Sequence, residues 1–376
     1  MPGQVPPLRG VRVLDFSTLL PGPFATLLMA EAGATVIKIE KPAGDEMRRV
    51  SATEFAMLNA GKTGVVADLR DPADRERVLD LCDGADVLVE QFRPGVMERL
   101  GLGYEQVAAR NPRLVYCSVT GFGQTGPRRG RTGHDLNYVA ATGLLGVVRD
   151  GSGRPALPHV TLADVSGGSY PALLNILMAL AARSVTGRGS RLDVSMADNL
   201  WPLQYWTLES GLRGESPPPG AGRLTGGSPR YQVYETADGR FVAATPLEQR
   251  FWDAFCDVVG LHGPLRDDSV DPAATMTAVR AAIAGRDGAH WQRAFEETDC
   301  ACTLVADVAE AVADPDLRER HVLEPTPDGR SVRMPSPLAR QFRHRDDHRA
   351  PALGELPLEA ATWATAAAHG GSDIRH

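Results

Sequence analysis

The chain has 376 residues, a net charge of −7 and 43% hydrophobic residues. That length suggests two or three domains with ordinary apolar cores. The 40 basic against 47 acidic residues exclude a basic surface of the size that nucleic acid requires. Cys82, Cys117, Cys256, Cys300 and Cys302 are odd in number and contain no C-x-x-C. They predict reduced thiols in a cytoplasmic protein, with neither a disulfide framework nor a zinc site. Cys300 and Cys302 would face one side of a strand.

The opening stretch MPGQVPPLRG lacks the charged-then-apolar pattern of a secretion signal. Residues 11–16 (VRVLDF), 34–42 (ATVIKIEKP), 64–69, 86–92 and 113–119 read as strands. Between them, 22–33 and 71–82 read as helices, the second with Asp71 as N-cap and Pro72 at its first position. Such alternation predicts an α/β fold, a parallel sheet flanked by helices. The uncharged run 165–182 approaches membrane-span length. It opens on Ser166, Gly167, Gly168, Ser169 and Pro171, and its apolar core is short, so a buried helix over 166–183 and no membrane association are expected. A strand at 190–196 and an apolar helix bearing Trp201, Tyr205 and Trp206 follow. The Pro/Gly-rich stretch 214–229 is the expected linker after a large domain over 1–213. Residues 230–330 then form a smaller α+β domain that starts with a hairpin turning at Ala237-Asp238-Gly239. Residues 331–376 return to the large domain.

Gly121, Gly123 and Gly126 spell G-x-G-x-x-G directly after a strand. A dinucleotide fingerprint needs its third glycine to open a helix, and it belongs at the first strand-to-helix turn. Here PRRGRTGHD follows, and the first turn, DFSTLLPGPFAT, lacks the pattern. The glycines are therefore read as sites of sharp turning and close backbone approach, with no nicotinamide function attached.

The stretches LRGVRVLDFSTLLPGPFATLLMAEAGATVIKIEKP, DLRDPADRERVLDLCDGADVLVEQFRPGVMERLGLGYE, NPRLVYCSVTGFGQTGP and GHDLNYVAATG together resemble the class III CoA-transferase (CaiB/BaiF) family, most closely its α-methylacyl-CoA racemase branch. The resemblance covers roughly residues 8 to 335. It implies a Rossmann-like large domain, a small α+β domain, and two chains interlocked as rings in a homodimer with shared active sites. It implies an acyl-CoA substrate, coenzyme A being part of that substrate, with no prosthetic group and no metal.

Read alone, Asp164 in HVTLADVSGGSY is a helix N-cap, His134 in TGHDLNY a structural hydrogen-bonder, and Glu248 in AATPLEQRF a favourable first-turn charge. The resemblance makes all three catalytic. Asp164 matches the family's central aspartate, a nucleophile in the transferases and a proton carrier in the racemases. His134 matches the histidine of the racemase motif, which the transferases lack. Glu248 matches a glutamate that reaches the histidine from the partner chain. Epimerisation needs one acid–base group on each face of the α-carbon, which His134 and Asp164 would supply. The alternative is CoA transfer through an aspartyl-CoA intermediate on Asp164. Asp135 is read as a turn residue. The resemblance also implies coenzyme A contacts from Lys41, Asn59, Lys62, Arg93 and Tyr138, and an acyl pocket lined by Leu224 and Leu247. The chain departs from the family pattern at Ala60, Thr63 and Thr161, and in replacing a methionine-bearing helix with one carrying Trp201, Tyr205, Trp206 and Glu209.

Overall fold

A computed structural model describes residues 5–149, 152–215, 218–320, 324–325, 333–343 and 349–369. Six strands, β1 (Arg12–Asp15), β2 (Thr35–Glu40), β3 (Thr63–Val66), β4 (Val87–Glu90), β5 (Val115–Thr120) and β6 (Arg191–Ser195), pair in parallel in the order β3-β2-β1-β4-β5-β6. This is the doubly wound order, with its switch point between β1 and β4. Helices cover both faces, so central strands are buried along their length and read as continuous apolar runs. β5 is buried at every position.

Helix α1 (Pro21–Glu31) is buried at every residue, as a helix enclosed on all sides must be. Helix α2 (Ala52–Asn59) starts at Ser51, whose side chain accepts the Glu54 N–H. Helix α3 (Pro72–Asp83) carries the expected cap, the Asp71 carboxylate accepting the Ala73 N–H at 2.7 Å. Helix α4 (Asp135–Ala141) follows the glycine loop. Residues 166–183 were expected to be a plain α-helix. Instead a π-helix over Leu162–Ser169 runs into helix α5 (Tyr170–Thr186). Leu162–Thr186 is long and apolar enough to cross a membrane by length and composition alone, and 39% of its most apolar window is buried.

The described chain divides into two compact units. One runs up to Gly143, takes in Pro158–Gln204 and resumes at Arg318; the other takes in Leu144–Leu157 and Tyr205–Leu317. The division falls at Gln204/Tyr205, ahead of the Pro/Gly-rich stretch 214–229, which lies inside the second unit except for residues 216 and 217, outside the described residues. The 3₁₀ segment Asp198–Gln204, with Pro202 inside it, ends at that division. In the first unit, Leu356, Leu358 and Ala366 of the chain's last described segment join the core beside β2 and β3, and the Leu356 N–H bonds the Gly64 carbonyl at 3.1 Å.

The second unit has an antiparallel sheet of β7 (Gln232–Glu235), β8 (Phe241–Ala244) and β9 (Cys302–Leu304). Helices α6 (Gln249–Val259), α7 (Pro272–Ile283) and α8 (Gly288–Glu296) pack on an aromatic core of Tyr234, Trp252, Phe255, Trp291 and Phe295. Cys300 and Cys302 do not form the two-residue strand repeat expected of them. Ala301 between them has φ +54°, and only Cys302 belongs to β9.

Candidate active site

The π-helix starts beside the switch point because its backbone is pressed between two elements. A Cβ on Gly167 would lie 2.3 Å from the Met196 carbonyl oxygen at the end of β6, and one on Gly168 would lie 3.0 Å from Pro21 at the start of α1. The Ser169 hydroxyl donates to the Pro21 carbonyl at 2.7 Å and to the Asp164 carbonyl at 3.1 Å. Asn199 Nδ2 donates to the Gly167 carbonyl at 2.9 Å. Single π-turns of this kind concentrate at functional sites. Gly167→Ala is expected to cost about 1–3 kcal/mol through overpacking, because a carbonyl cannot move aside as a flexible side chain can. Urea unfolding measures the loss.

Asp164 lies in the first turn of this helix; the N-cap is Thr161. The N-cap reading of Asp164 is thereby corrected: the helix starts earlier, capped at Thr161. The Asp164 backbone N–H donates to Asp135 Oδ1 at 2.9 Å. Its carboxyl is half-buried. Burial first, then the neighbouring Asp135 carboxylate, push its pKa up to about 6 against the opposing pull of His134.

His134 is the N-cap of α4, in extended backbone, and is exposed. Its N–H donates to Asn137 Oδ1 at 3.0 Å, and its carbonyl accepts the Asn137 N–H at 2.8 Å. Tyr138, one turn on, is buried and donates to the Gly133 carbonyl at 2.6 Å. Its ring packs edge-on against Phe122. Burial and the nearby Asp164 raise its pKa. This ring accounts for part of the glycine loop: a Cβ on Gly121 would sit 2.2 Å from it and one on Gly133 2.8 Å from it. Gly123 and Gly126 hold φ of +79° and +78°, which glycine adopts without strain. Arg93 is exposed and donates to the Thr132 hydroxyl at 2.9 Å, on the same loop.

The remaining expected contacts fall elsewhere. Lys62 is buried and spends its three donors on Asp15 Oδ2 (3.0 Å), the Pro23 carbonyl (2.9 Å) and Asn59 Oδ1 (2.8 Å). Asn59 is equally buried and donates to the Phe55 carbonyl. In this geometry the three Lys62 donors are all directed at interior acceptors. Lys41 is exposed and ion-paired with Glu46. Glu248, Leu247 and Leu224 belong to the second unit. Glu248 is exposed and is the N-cap of α6, just before the first turn in which it was expected, with no capping bond from its side chain. Leu247 is half-buried; Leu224 is 39% exposed. A cleft of about 550 Å³ in that unit, lined in part by Arg240, Gln292, Cys302 and Glu310, holds none of these three.

The sequence reading missed a charged network under the switch point. Asp15, Lys38, Asp45 and Lys62 are all buried. Lys38 pairs with Asp45 at 2.9 Å and donates to the Ser17 carbonyl at 2.8 Å. Asp15 accepts from Lys62, from Thr26 at 2.6 Å and from Ser17. Burial alone would raise the Asp15 pKa, but Lys62, Lys38 and the two hydroxyls outweigh it and hold the carboxyl well below the usual range. Glu90, buried at the end of β4, is pushed up to about 7 by burial.

Residues 8–356 match CoA-transferase family III. The chain is 35% identical over 323 residues to the alpha-methylacyl-CoA racemase of Homo sapiens, covering 83% of this chain and 81% of that protein. It is 33% identical to the acetyl-CoA:oxalate CoA-transferase of Acetobacter aceti, covering 94% of each. Among solved structures, a hypothetical protein from Mycobacterium tuberculosis superposes with a TM-score of 0.81 at 29% identity, over 93% of this chain and 97% of that one. A CAIB/BAIF family protein from Brucella suis gives 0.81 at 26% identity, over 94% and 97%.

Proposed function

The chain belongs to CoA-transferase family III, and from that premise we propose that it epimerises 2-methylacyl-CoA thioesters by moving a proton at the α-carbon between His134 and Asp164. The observation that carries this reading is the bond from the Asp164 N–H to Asp135 Oδ1 at 2.9 Å, which ties the first turn of the π-helix to the helix start capped by the exposed His134. The racemase relative supports it, and so does the histidine that the racemase motif shares with this chain.

The thioester acidifies the α-proton. One group removes it, an enolate forms, and the other group protonates the opposite face. A carboxyl with a pKa near 6 exchanges protons close to neutral pH, where an ordinary aspartate would stay ionised. Coenzyme A is held through cations at its phosphates: Arg93 on the glycine-loop side, Lys41 beyond β2, and the exposed Arg128, Arg129 and Arg131. Tyr138 lies under the same loop. Glu248, Leu224 and Leu247 complete the site from a second chain in this reading. The exposed Leu174, Met178 and Val185 on α5 offer apolar surface for that homodimer. No prosthetic group or metal is required.

The two reactive enzyme forms differ only in which member of the pair holds the single proton. The pH profile of kcat/KM is therefore expected to be bell-shaped and superimposable for the (R) and (S) substrates. Loss on the acid side marks the second proton entering the pair, and loss on the alkaline side marks the first leaving. Deuterium incorporation at Cα in D₂O, followed from each enantiomer, measures it; a profile with no acid limb contradicts the two-base scheme. The alternative is CoA transfer by nucleophilic attack of Asp164, favoured by the acetyl-CoA:oxalate CoA-transferase relative. That chemistry leaves His134 without a task.

A further inference from the structure

We propose that Asp135 is a positioning residue whose carboxylate locks the two proton carriers into one frame. The inference rests on the reading of His134 and Asp164 as those carriers. Asp135 follows His134 in the chain and begins α4, so its backbone is continuous with the His134 cap. Its Oδ1 accepts the backbone N–H of Asp164 at 2.9 Å, across 29 residues of sequence. One carboxylate thus joins the start of α4 to the first turn of the π-helix. Other ties on that helix, Ser169 to Pro21 and Asn199 to Gly167, fix its far end to α1 and the 3₁₀ segment, while Asp135 ties its first turn to α4. This half-buried group was read from sequence as a turn residue; its bond to Asp164 gives it a different task.

The link has an electrostatic side. A second carboxylate beside Asp164 disfavours ionisation of Asp164, while His134 acts in the opposite sense. The Asp164 charge also raises the pKa of Tyr138 on α4, after the larger effect of burial. Removing the Asp135 charge therefore makes Asp164 a stronger acid.

Asp135→Asn keeps an oxygen that can accept the Asp164 N–H and removes only the charge. Asp135→Ala removes both. In the full-length protein, Asp135→Asn is expected to retain the fold, while the acid limb of the exchange profile moves to lower pH. Asp135→Ala is expected to lose kcat on the order of 10²-fold with little change in KM, as a misplaced reacting group does. The titration of Asp164 itself is followed by carboxyl ¹³C NMR of [4-¹³C]aspartate-labelled protein, assigned with Asp164→Asn. That titration needs no turnover. If the wild type shows no α-exchange, the functional reading fails, and the NMR shift between wild type and Asp135→Asn still decides the role of Asp135. An Asp164 titration unmoved in Asp135→Asn overturns the inference, as does an Asp135→Ala enzyme with wild-type kcat.

Discussion

His134→Ala is expected to lower the epimerisation rate of 2-methylacyl-CoA by about 10²–10⁴-fold, and Asp164→Asn to do the same. The two losses should not multiply. Once one acid–base group is gone the enolate cannot be reprotonated on the opposite face, so the double variant falls little below either single one. A single-base variant can still wash out a proton from one face. Residual deuterium uptake without loss of chirality is thus the signature expected from whichever group remains. The enantiomer that still exchanges in His134→Ala should be the one that does not in Asp164→Asn. Chiral separation of the acyl group after hydrolysis, with mass spectrometry of the deuterium content, reads both quantities from one incubation. Equal loss of exchange from both enantiomers in both variants, with no residual washout, would point to a binding defect instead.

Lys62→Met is expected to destabilise the first unit by about 3–5 kcal/mol, the usual cost of stranding a buried charge. The side chains of Lys62 and Asp15 are both 0% exposed and 3.0 Å apart. Methionine matches the stem of the lysine and leaves Asp15 facing only Lys38, Ser17 and Thr26. The pH dependence gives the sign. In the wild type the folded Asp15 pKa is depressed. Its contribution to stability is therefore present above the unfolded value of about 3.9 and is lost as pH falls through the folded value. In Lys62→Met the folded pKa rises towards the unfolded one, so less stability is lost on acidification and that loss ends at a higher pH. Urea midpoints measured from about pH 2 to pH 8 test this. A midpoint unchanged at pH 7, or an acid limb unchanged in position, would mean the pair contributes nothing net to folding.

The alternation of apolar runs and helices made the large sheet legible, and five of the six strands were read within a few residues of β1 to β5, the sixth as β6. The Asp71 cap was legible because N-capping is local: acceptor and donor are two residues apart. The charged network was not. Lys38 and Glu40 alternate with Ile37 and Ile39 in β2, a pattern that resembles a strand with one wet face. Both are buried, because Lys38 meets Asp45 and Ser17 and Glu40 meets Arg48, partners that only the folded chain supplies. Leu19, at φ +62° between β1 and α1, was equally invisible; its N–H meets Asp45 Oδ1 at 3.3 Å. The π-turn escaped notice for the same reason. Its causes, Met196 and Pro21, lie far along the chain from Asp164. The choice of His134 and Asp164 came from the resemblance to a family. The bond that joins their elements, Asp135 to Asp164, spans residues that no local pattern connects.

A single incubation separates epimerisation from CoA transfer. The protein is mixed in D₂O with (S)-2-methylacyl-CoA and an excess of a free dicarboxylic acid, and the CoA thioesters are resolved by mass and chirality. Epimerisation is expected to leave the original acyl group on coenzyme A, deuterated at Cα and driven towards equal (R) and (S) forms, with no thioester of the added acid. Formation of that new thioester, with the original acyl group released undeuterated and an aspartyl-CoA adduct on Asp164 that hydroxylamine cleaves, would contradict the epimerase reading and establish transfer.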